Sequence, residues 1–520
     1  MIAVMIALLP AGAVNAEETP LDTRLYRQAL KALEAGEKKE GARLLRRVYT
    51  EFPTSRHASG ALLRFAGLIY PVTSWEKIGT ATPRMIQEAT ELLDRIVRKQ
   101  RGSKEAPYAL VRLGYLALEP ANPEWDLDAA CMRFNNAVRL HPESDAAAAA
   151  LLGSGMCESL RGQPARAARS FERLVDEHPS SRVAPDALYR LGVALSRLDS
   201  PAEAMMVLER VRSSYPDAPQ APLALERLTL LHRMRLLPLL KEDQAGGAGK
   251  NTPGRSLYAF DVEFGAEGGD AGSAGAIRGS SDIAIDARGR VVVASRKSPG
   301  VFRLTASGAV QDRIDHPGPE FIAVGEGQAV YISGRNQIAV NTSNWSGAEL
   351  QGLDGRVVRK FGPIALDPTG RVYLIDAGAS ALLIYDRSRQ LVGHVRPPSG
   401  EKGRFVDVAT GEDGAVYALD DRARMVVVLH QGRVTGRIPL DGLGIQEPTA
   451  LAVDTLGDLF VLDGRTGAVF VADQRGESID VVRPPREVAS LLGTPSALAV
   501  DGTGRIYLCG SKSGRVVRFQ

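Results

Sequence analysis

The sequence predicts a multidomain α-then-β protein, in which an N-terminal α-solenoid of helical pairs precedes a C-terminal six-bladed β-propeller. Three observations carry this prediction: helical periodicity with regularly spaced prolines in the first half, six related segments in the second half, and a polar glycine-rich stretch between them. The chain has 520 residues, a length that fits two domains with separate cores.

The first half consists of paired amphipathic runs. In 179–216, apolar residues recur every three or four positions in two runs that the sequence LDSP divides, which indicates two antiparallel helices. The prolines that end the three clearest pairs are spaced at 37 residues: Pro142, Pro179 and Pro216. Looser copies end near Pro53 and Arg101, so we expect five helical pairs and a capping helix from Pro222 to Leu239.

The second half repeats one template: alternating apolar residues, an Asp, a turn with Gly, then a second apolar run. Copies such as IALDPTGRVYLID and LAVDTLGDLFVLD have the alternation of half-buried strands, and Asp and Gly are suited to the turn between them. Aligned on the Asp or its replacement, six units have the anchors Asp286, Gly325, Asp367, Gly411, Asp454 and Asp501. Further strands follow in each unit, and four-stranded units repeated radially make a propeller.

The last unit ends after its third strand, whereas Leu257 to Phe264 forms an alternating strand without a hairpin partner. We therefore expect this strand to complete the last blade by pairing with residues around Arg515 to Phe519. Such pairing closes the ring and removes free sheet edges.

Two family resemblances follow from these motifs. The pattern L-x-x-L-G, A-x-x-x-L, P at Leu188, Leu191, Gly192, Ala204, Leu208 and Pro216 resembles the tetratricopeptide repeat. The sequence PSSRVAPDALYRLG is similar to the periplasmic variety of that repeat, found in Tol-Pal and outer-membrane assembly proteins. The spacing and glycine–aspartate turns of 257–520 resemble the NHL repeat family, whose six-bladed form has the same number of units.

The expected domain organisation has four parts. Residues 1–16 form an apolar stretch that ends in VNA and fits a signal peptide, although it lacks an early Lys or Arg and a plain apolar N-terminus is the alternative. The solenoid covers 21–240, a polar linker covers 241–256 and lets the domains move, and the propeller covers 257–520. This organisation predicts a periplasmic or secreted protein.

Composition excludes several classes of partner. The net charge of +3 and the absence of a basic run with interleaved aromatics argue against nucleic-acid binding. No segment after the N-terminus is apolar enough to predict a transmembrane helix. Three cysteines cannot form a disulfide scaffold, and Cys131 and Cys157 are either bridged or two buried thiols.

We expect neither a cofactor nor a metal, and we expect the chain not to be an enzyme. The segments leading into the inner strands contain no histidine, and their only acids, Asp282, Glu320, Asp407 and Glu447, fall at differing offsets. Asp376, Asp420 and Asp463 occupy one repeat position and are interpreted as turn residues. The alternative is a propeller enzyme of the lyase or lactonase class with a channel-bound metal.

The predicted function is an exported, non-catalytic interaction scaffold of the bacterial cell envelope. Helical solenoids bind extended or helical peptides in a groove lined by the first helix of each pair. Counting from the small residue of each repeat places five residues in this groove: Tyr26, Leu63, Tyr115, Met156 and Tyr189. If they are open rather than packed between repeats, the partner is a protein or peptide with an apolar or amphipathic segment.

Overall fold

The structure is a computed structural model of the chain. It describes residues 19–72, 81–119, 122, 125–198, 200–236, 256–264, 277–286, 288–305, 308–325, 329–334, 337–341, 349–398, 400, 403–511 and 514–520. The predicted signal peptide and nearly all of the predicted linker lie outside these residues.

The N-terminal part is helical, with five pairs and a final unpaired helix in the described chain, as predicted. The helices are α1 Leu21–Glu34, α2 Lys38–Glu51, α3 Ala58–Ile69, α4 Pro83–Lys99, α5 Ala106–Ala117, α6 Leu127–Leu140, α7 Ala146–Leu160, α8 Pro164–Glu177, α9 Ala184–Arg197, α10 Pro201–Ser214 and α11 Gln220–Leu231. A π-helical turn, His232–Leu236, follows α11. None of the described helices has the length and apolar character needed to cross a membrane.

Glycines set the close approach of paired helices. A Cβ atom on Gly114 of α5 would lie 2.6 Å from the ring of Phe134 of α6, and one on Gly192 of α9 would lie 2.7 Å from the side chain of Leu208 of α10. Both distances are too short for a carbon–carbon contact, so a larger residue at either position would force the paired helices apart.

The chain divides into two compact units, 1–150 and 151–520. The second unit therefore contains α8 to α11 together with the propeller. The domain boundaries at 240 and 257, which follow the change of repeat type, stay a prediction.

The propeller consists of six antiparallel sheets, as predicted. Their strands are β1 Phe260–Phe264, β2 Ser280–Ile285, β3 Val291–Ser295, β4 Gly300–Leu304, β5 Val310–Ile314, β6 Phe321–Val324, β7 Val330–Gly334, β8 Gln337–Val340, β9 Phe361–Leu366, β10 Val372–Asp376, β11 Ala381–Tyr385, β12 Leu391–Val395, β13 Phe405–Thr410, β14 Val416–Asp420, β15 Met425–His430, β16 Arg433–Pro439, β17 Pro448–Val453, β18 Leu459–Asp463, β19 Val469–Ala472, β20 Ser478–Val482, β21 Pro495–Val500, β22 Ile506–Gly510 and β23 Val516–Phe519. A short helix, α12 Arg486–Leu492, precedes the last blade.

The first strands of the six blades form the inner ring, in the order β2, β6, β9, β13, β17, β21 and back to β2. Blades 1, 3, 4 and 5 have four consecutive strands, and three strands of blade 2 lie within the described residues. Buried apolar side chains fill the spaces between blades; between blades 4 and 5, for example, Leu419 and Val426 pack with Leu451, Val461 and Phe470.

Strand β1 completes the last blade, as predicted. It pairs antiparallel with β23, with Phe260 opposite Phe519 and Phe264 opposite Val516. The Arg518 Nε atom donates a 2.6 Å hydrogen bond to the Asp261 carboxylate across this pair. The ring is therefore closed by a strand that precedes the first blade.

The turn residues act as the repeat indicates. One carboxylate oxygen of Asp367 accepts bonds from the amides of Thr369 and Arg371, while Gly370 has φ of 76°. Asp376 and Asp420 each accept two backbone amide bonds in the turn after the second strand, at 2.8 to 3.1 Å. These aspartates fix turns, which confirms the structural interpretation of the repeat.

Within the second unit, the last helices pack on turns between first and second strands of blades 4 to 6. Arg197 of α9 contacts the Asp413 carboxylate at 2.6 Å, and Arg227 of α11 pairs with Glu412. Arg233 donates to the carbonyl oxygens of Thr503 and Gly504 at 2.9 and 3.0 Å. Ion pairs and hydrogen bonds thus join the last helices to these propeller turns. The contacts oppose the free movement that the sequence predicted for two flexibly linked domains.

Candidate partner-binding groove

Two adjoining cavities lie in the first unit, between the first helices of its pairs. Each has a volume of about 930 Å³, and Tyr26, Gly60, Ser103, Lys104 and Glu105 line both. The first cavity is completed by α3, α5 and the connection from α6, and the second by the connections after α2 and α4. We call them together the α1–α5 groove. Such volumes are typical of clefts that hold a small ligand or part of a peptide.

Tyr26 and Leu63, two of the five predicted site residues, line this groove. Both side chains are half-buried. The Tyr26 hydroxyl accepts a 3.2 Å hydrogen bond from Arg64 Nε, and its ring stacks on His57 with the centroids 4.7 Å apart. A Cβ atom on Gly60 would lie 2.6 Å from the Tyr26 hydroxyl, so the groove keeps its depth here because α3 carries a glycine.

Arg112 of α5 is the most distinctive charge in the groove. Its Nη1 atom donates a 2.9 Å hydrogen bond to the carbonyl oxygen of Leu63, and no carboxylate pairs with it among the described residues. Burial, and then the neighbouring charge of Arg64, lower the pKa of the Arg112 guanidinium. A partly desolvated cation without a counter-charge costs free energy, which an anionic group of a partner would offset.

Two of the five residues do not reach the groove surface. Tyr115 is 1% exposed and packs edge-on against Phe134 of α6, with ring centroids 5.0 Å apart. Met156 of α7 is 3% exposed. Both lie in the core, because the face of each helix that contains the small repeat residue turns toward the second helix of its pair. Their side chains therefore offer no open surface.

The third repeat presents Tyr108 and Arg112 to the groove instead. They are four positions apart, so they share one face of α5, and Tyr108 is 38% exposed. Counting from the small residue selected the neighbouring face, with Tyr115. The spacing of Tyr108 and Arg112 in the sequence AP-Y-x-x-x-R, which puts two side chains with polar ends on one helix face, could have indicated this pair.

Tyr189 lies in the second unit, on α9. Its side chain is half-buried under Arg227, whose guanidinium carbon is 5.9 Å from the centre of the Tyr189 ring. Burial raises the pKa of the Tyr189 hydroxyl. Since Arg227 pairs with Glu412 of blade 4, Tyr189 belongs to the packing of helix against propeller. A binding role for the five residues stays a prediction.

The propeller channel contains two of the four acids noted from the sequence in equivalent positions. Asp282 and Asp407 each stand four residues before the anchor of their unit, on the opposite blades 1 and 4, which corrects the expectation of differing offsets for this pair. Asp282 accepts amide bonds from Ile283 and from Ile322 of the next blade, both at 2.8 Å. Asp407 accepts likewise from Val408 and from Leu451 of its next blade, at 2.8 and 2.7 Å.

Burial and the charge of Asp407 raise the pKa of Asp282 to about 8, and burial raises the pKa of Asp407 to about 7. Each carboxylate joins two adjacent inner strands. Over the described ranges, no three His, Cys, Asp or Glu side chains are grouped so that they could hold a metal ion. Cys131, Cys157 and Cys509 are buried thiols that form no disulfide.

Comparisons with known proteins agree with this architecture. A tetratricopeptide-repeat family model matches residues 149–181 and 186–218. No curated protein matches the chain. The chain thus combines tetratricopeptide repeats with a six-bladed propeller.

Among solved structures, the chain is similar to a virginiamycin B lyase from Staphylococcus aureus, with 11% identity over 51% of this chain and 99% of the other and a TM-score of 0.35. It is also similar to a gluconolactonase from Xanthomonas campestris, with 16% identity over 47% and 86% and a TM-score of 0.35. A protein of unknown function from Bacteroides caccae shares 14% identity over 42% and 85%, with a TM-score of 0.33.

These structures correct the expectation that the chain is not an enzyme. Two of the three are described as enzymes, a lyase and a gluconolactonase. At 11 to 16% identity the likeness concerns the fold alone, and it assigns neither a substrate nor a reaction.

Proposed function

We propose that the chain is an exported interaction scaffold of the cell envelope whose α1–α5 groove captures a segment of a partner protein. The observation that carries this proposal is the groove itself, in which Tyr26, Leu63 and Tyr108 line the same cavity as Arg112, whose guanidinium has no carboxylate partner among the described residues. Aromatic and arginine side chains are the residues that most often dominate the energy of a protein interface.

The composition of the groove indicates the partner's chemistry. Six cations line it, Arg56, Arg64, Arg95, Lys99, Lys104 and Arg112, against three acids, Glu105, Glu143 and Asp145. One of the acids, Glu105, already accepts a 2.8 Å hydrogen bond from Ser59. The groove therefore favours a segment in which apolar side chains alternate with one or more carboxylates, since an arginine binds a carboxylate through two parallel bonds.

The envelope location rests on the sequence. The apolar stretch over 1–16 fits a signal peptide, and the repeats are similar to periplasmic ones. Cell fractionation with N-terminal sequencing of the mature chain tests it, and an unprocessed chain in the cytosolic fraction would contradict it.

The binding proposal is tested with a photo-crosslinking residue placed at position 108 of the full-length chain in cells. We expect an adduct to one protein through a segment rich in acidic and apolar residues. The matched control carries the same crosslinker at position 206, because Met206 of α10 is also exposed but lies outside the groove. Identical adducts from both positions, or none from position 108, would refute the proposal.

A second experiment tests the contribution of the Arg112 charge to partner binding. Arg112→Gln removes the unpaired guanidinium and keeps an amide that can still donate to the Leu63 carbonyl, so folding should be retained while the adduct at position 108 weakens. Arg173→Gln, on the exposed face of α8, removes one positive charge elsewhere and should leave the adduct unchanged.

A further inference from the structure

The propeller carries a second cavity, distinct from the α1–α5 groove. It has a volume of about 660 Å³ and lies at blade 3, where the segment leading into β9 meets the turn between β10 and β11. Its lining includes four cations, Arg356, Arg359, Lys360 and Arg396, and two acids, Asp354 and Asp376. We call it the blade-3 cavity.

The four cations are uncompensated. Each side chain is exposed, and no ion pair forms between any of them and a carboxylate within the part of the chain that the structure describes. Of the two acids, Asp376 is buried and its Oδ1 atom accepts the amide bonds of Gly378 and Ala379. Asp354 is therefore the one exposed carboxylate in the described lining, and the cavity is strongly positive.

The backbone that presents these cations is fixed. The amide of Val358 donates a 3.0 Å bond to the Leu350 carbonyl, and the buried Tyr385 donates from its hydroxyl to the Gln351 carbonyl at 2.8 Å. Between these points the chain forms a 3-10 turn over Leu353–Gly355, where Asp354 has φ of 55°. Leu350 and Val358 are buried in the blade core, so Arg356, Arg359 and Lys360 project from a segment anchored at both sides.

We propose that the blade-3 cavity binds a ligand that carries two or more phosphate groups. Three planar guanidinium forks and one ammonium around a single cavity exceed what one carboxylate can neutralise, whereas each phosphate brings up to two negative charges and three acceptor oxygens. A volume of about 660 Å³ accommodates a diphosphate together with the group that bears it.

The same chemistry occurs in two sources, a small soluble diphosphate and a membrane-lipid headgroup that carries two phosphates. The site lies on the propeller and is independent of the proposed groove partner, so either proposal can fail without the other.

Inorganic pyrophosphate is the probe for the first source, titrated calorimetrically into the full-length chain at low salt. We expect binding that weakens steeply with added salt, because it rests on exposed charges. Arg359→Gln with Arg396→Gln should weaken it about tenfold or more, since each substitution removes charge-assisted hydrogen bonds to the phosphates.

The matched control is Arg433→Gln with Arg437→Gln, which removes the same charge from exposed positions of β16, outside the cavity. This pair should bind pyrophosphate like the natural chain, and both double variants should melt at the same temperature. Equal weakening in the two double variants would show general charge attraction and would overturn the site.

Phosphatidylcholine vesicles with and without cardiolipin, whose headgroup carries two phosphates, test the second source by co-sedimentation. Cardiolipin-dependent binding that is lost only in the Arg359/Arg396 variant supports the site and assigns it to a lipid. Pyrophosphate binding without vesicle binding supports it and assigns it to a soluble ligand. Binding of neither probe overturns the proposal.

Discussion

The guanidinium of Arg235 donates two hydrogen bonds, of 2.7 and 2.8 Å, to the carboxylate of Asp458, whose side chain has no exposed surface. Arg235 lies in the π-helical turn after the last helix, and Asp458 immediately precedes β18, the second strand of blade 5. Within the second unit, this pair connects the end of the helical part to the propeller at a carboxylate that is shielded from water.

Replacing Arg235 by Ala should destabilise the second unit by about 3–5 kcal/mol, because it leaves a buried carboxylate without its counter-charge. Chemical denaturation followed by circular dichroism measures the loss. Arg173→Ala is the control: it breaks the exposed Arg173–Glu177 pair of the same unit and should cost no more than about 1 kcal/mol. A similar small cost for both would show that Asp458 finds another partner.

Asp454 offers a prediction about pH. Its Oδ1 atom accepts the amide bonds of Leu456 and Asp458, while the buried Oδ2 atom has no hydrogen-bond partner among the described residues. Burial and the charge of Asp458 raise the pKa of Asp454 to about 8. Because the same group titrates near pH 4 in the unfolded chain, the folded state retains the proton, and the free energy of unfolding should fall as the pH rises from about 4 to about 8.

Asp454→Asn should abolish this contribution, since an amide keeps the Oδ1 acceptor and cannot ionise. We expect the variant to match the natural chain at pH 4 and to exceed its stability at pH 9 by more than about 1 kcal/mol, as denaturation at the two pH values will show. Asp501→Asn is the control: both Asp501 oxygens already accept hydrogen bonds, one of them from the Tyr507 hydroxyl. A gain at pH 9 in the control variant as well would contradict the explanation.

Substitutions of two tyrosines of α5 distinguish a residue of the core from a residue of the groove. Tyr115→Ala removes a ring that is 1% exposed and contacts Phe134, so it should cost about 3–5 kcal/mol of stability. Tyr108→Ala removes a ring that is 38% exposed and should cost less than about 1 kcal/mol while it weakens partner capture. Thermal unfolding of both variants checks the order, and a large loss in Tyr108→Ala would place that ring in the core.

The parts of the fold that were predicted have local causes. Four of the six units are marked by an anchor Asp and a Gly that one turn requires, as Asp367 and Gly370 show. Closure by β1 follows from counting strands. The groove was predicted only in part. Tyr26 and Leu63 line it, whereas Tyr115 does not, because apolar periodicity shows that a helix has a buried side without showing which neighbour covers which face.

Contacts between side chains of distant segments left no pattern in the sequence. Arg227 and Glu412 are 185 positions apart, and nothing near either residue indicates that they meet. The blade-3 cavity has the same origin, since Arg396 reaches it from the end of β12 while Arg356 to Lys360 come from the segment before β9. In both cases the charged residues come together only in the folded chain, so no local sequence motif marks them.

The pairing of β1 with β23 should make the unfolding of the propeller cooperative. The Asp261–Arg518 pair joins residues 257 positions apart, and the rings of Phe260 and Phe519 meet edge-on with centroids 6.0 Å apart.

Val262→Pro should open this outer strand, because proline lacks the amide hydrogen that a ladder needs. His394→Pro disturbs β12, the outer strand of blade 3, where His394 lies opposite Leu383, and serves as the control because the partners of β12 are all close in sequence. Hydrogen exchange followed by mass spectrometry should then show lost protection in both blade 6 and the adjoining strand β2 for Val262→Pro, but only within blade 3 for His394→Pro. If exchange in Val262→Pro rises only in β1 itself, contacts between blades hold the ring, and the pairing of β1 with β23 contributes little to its stability.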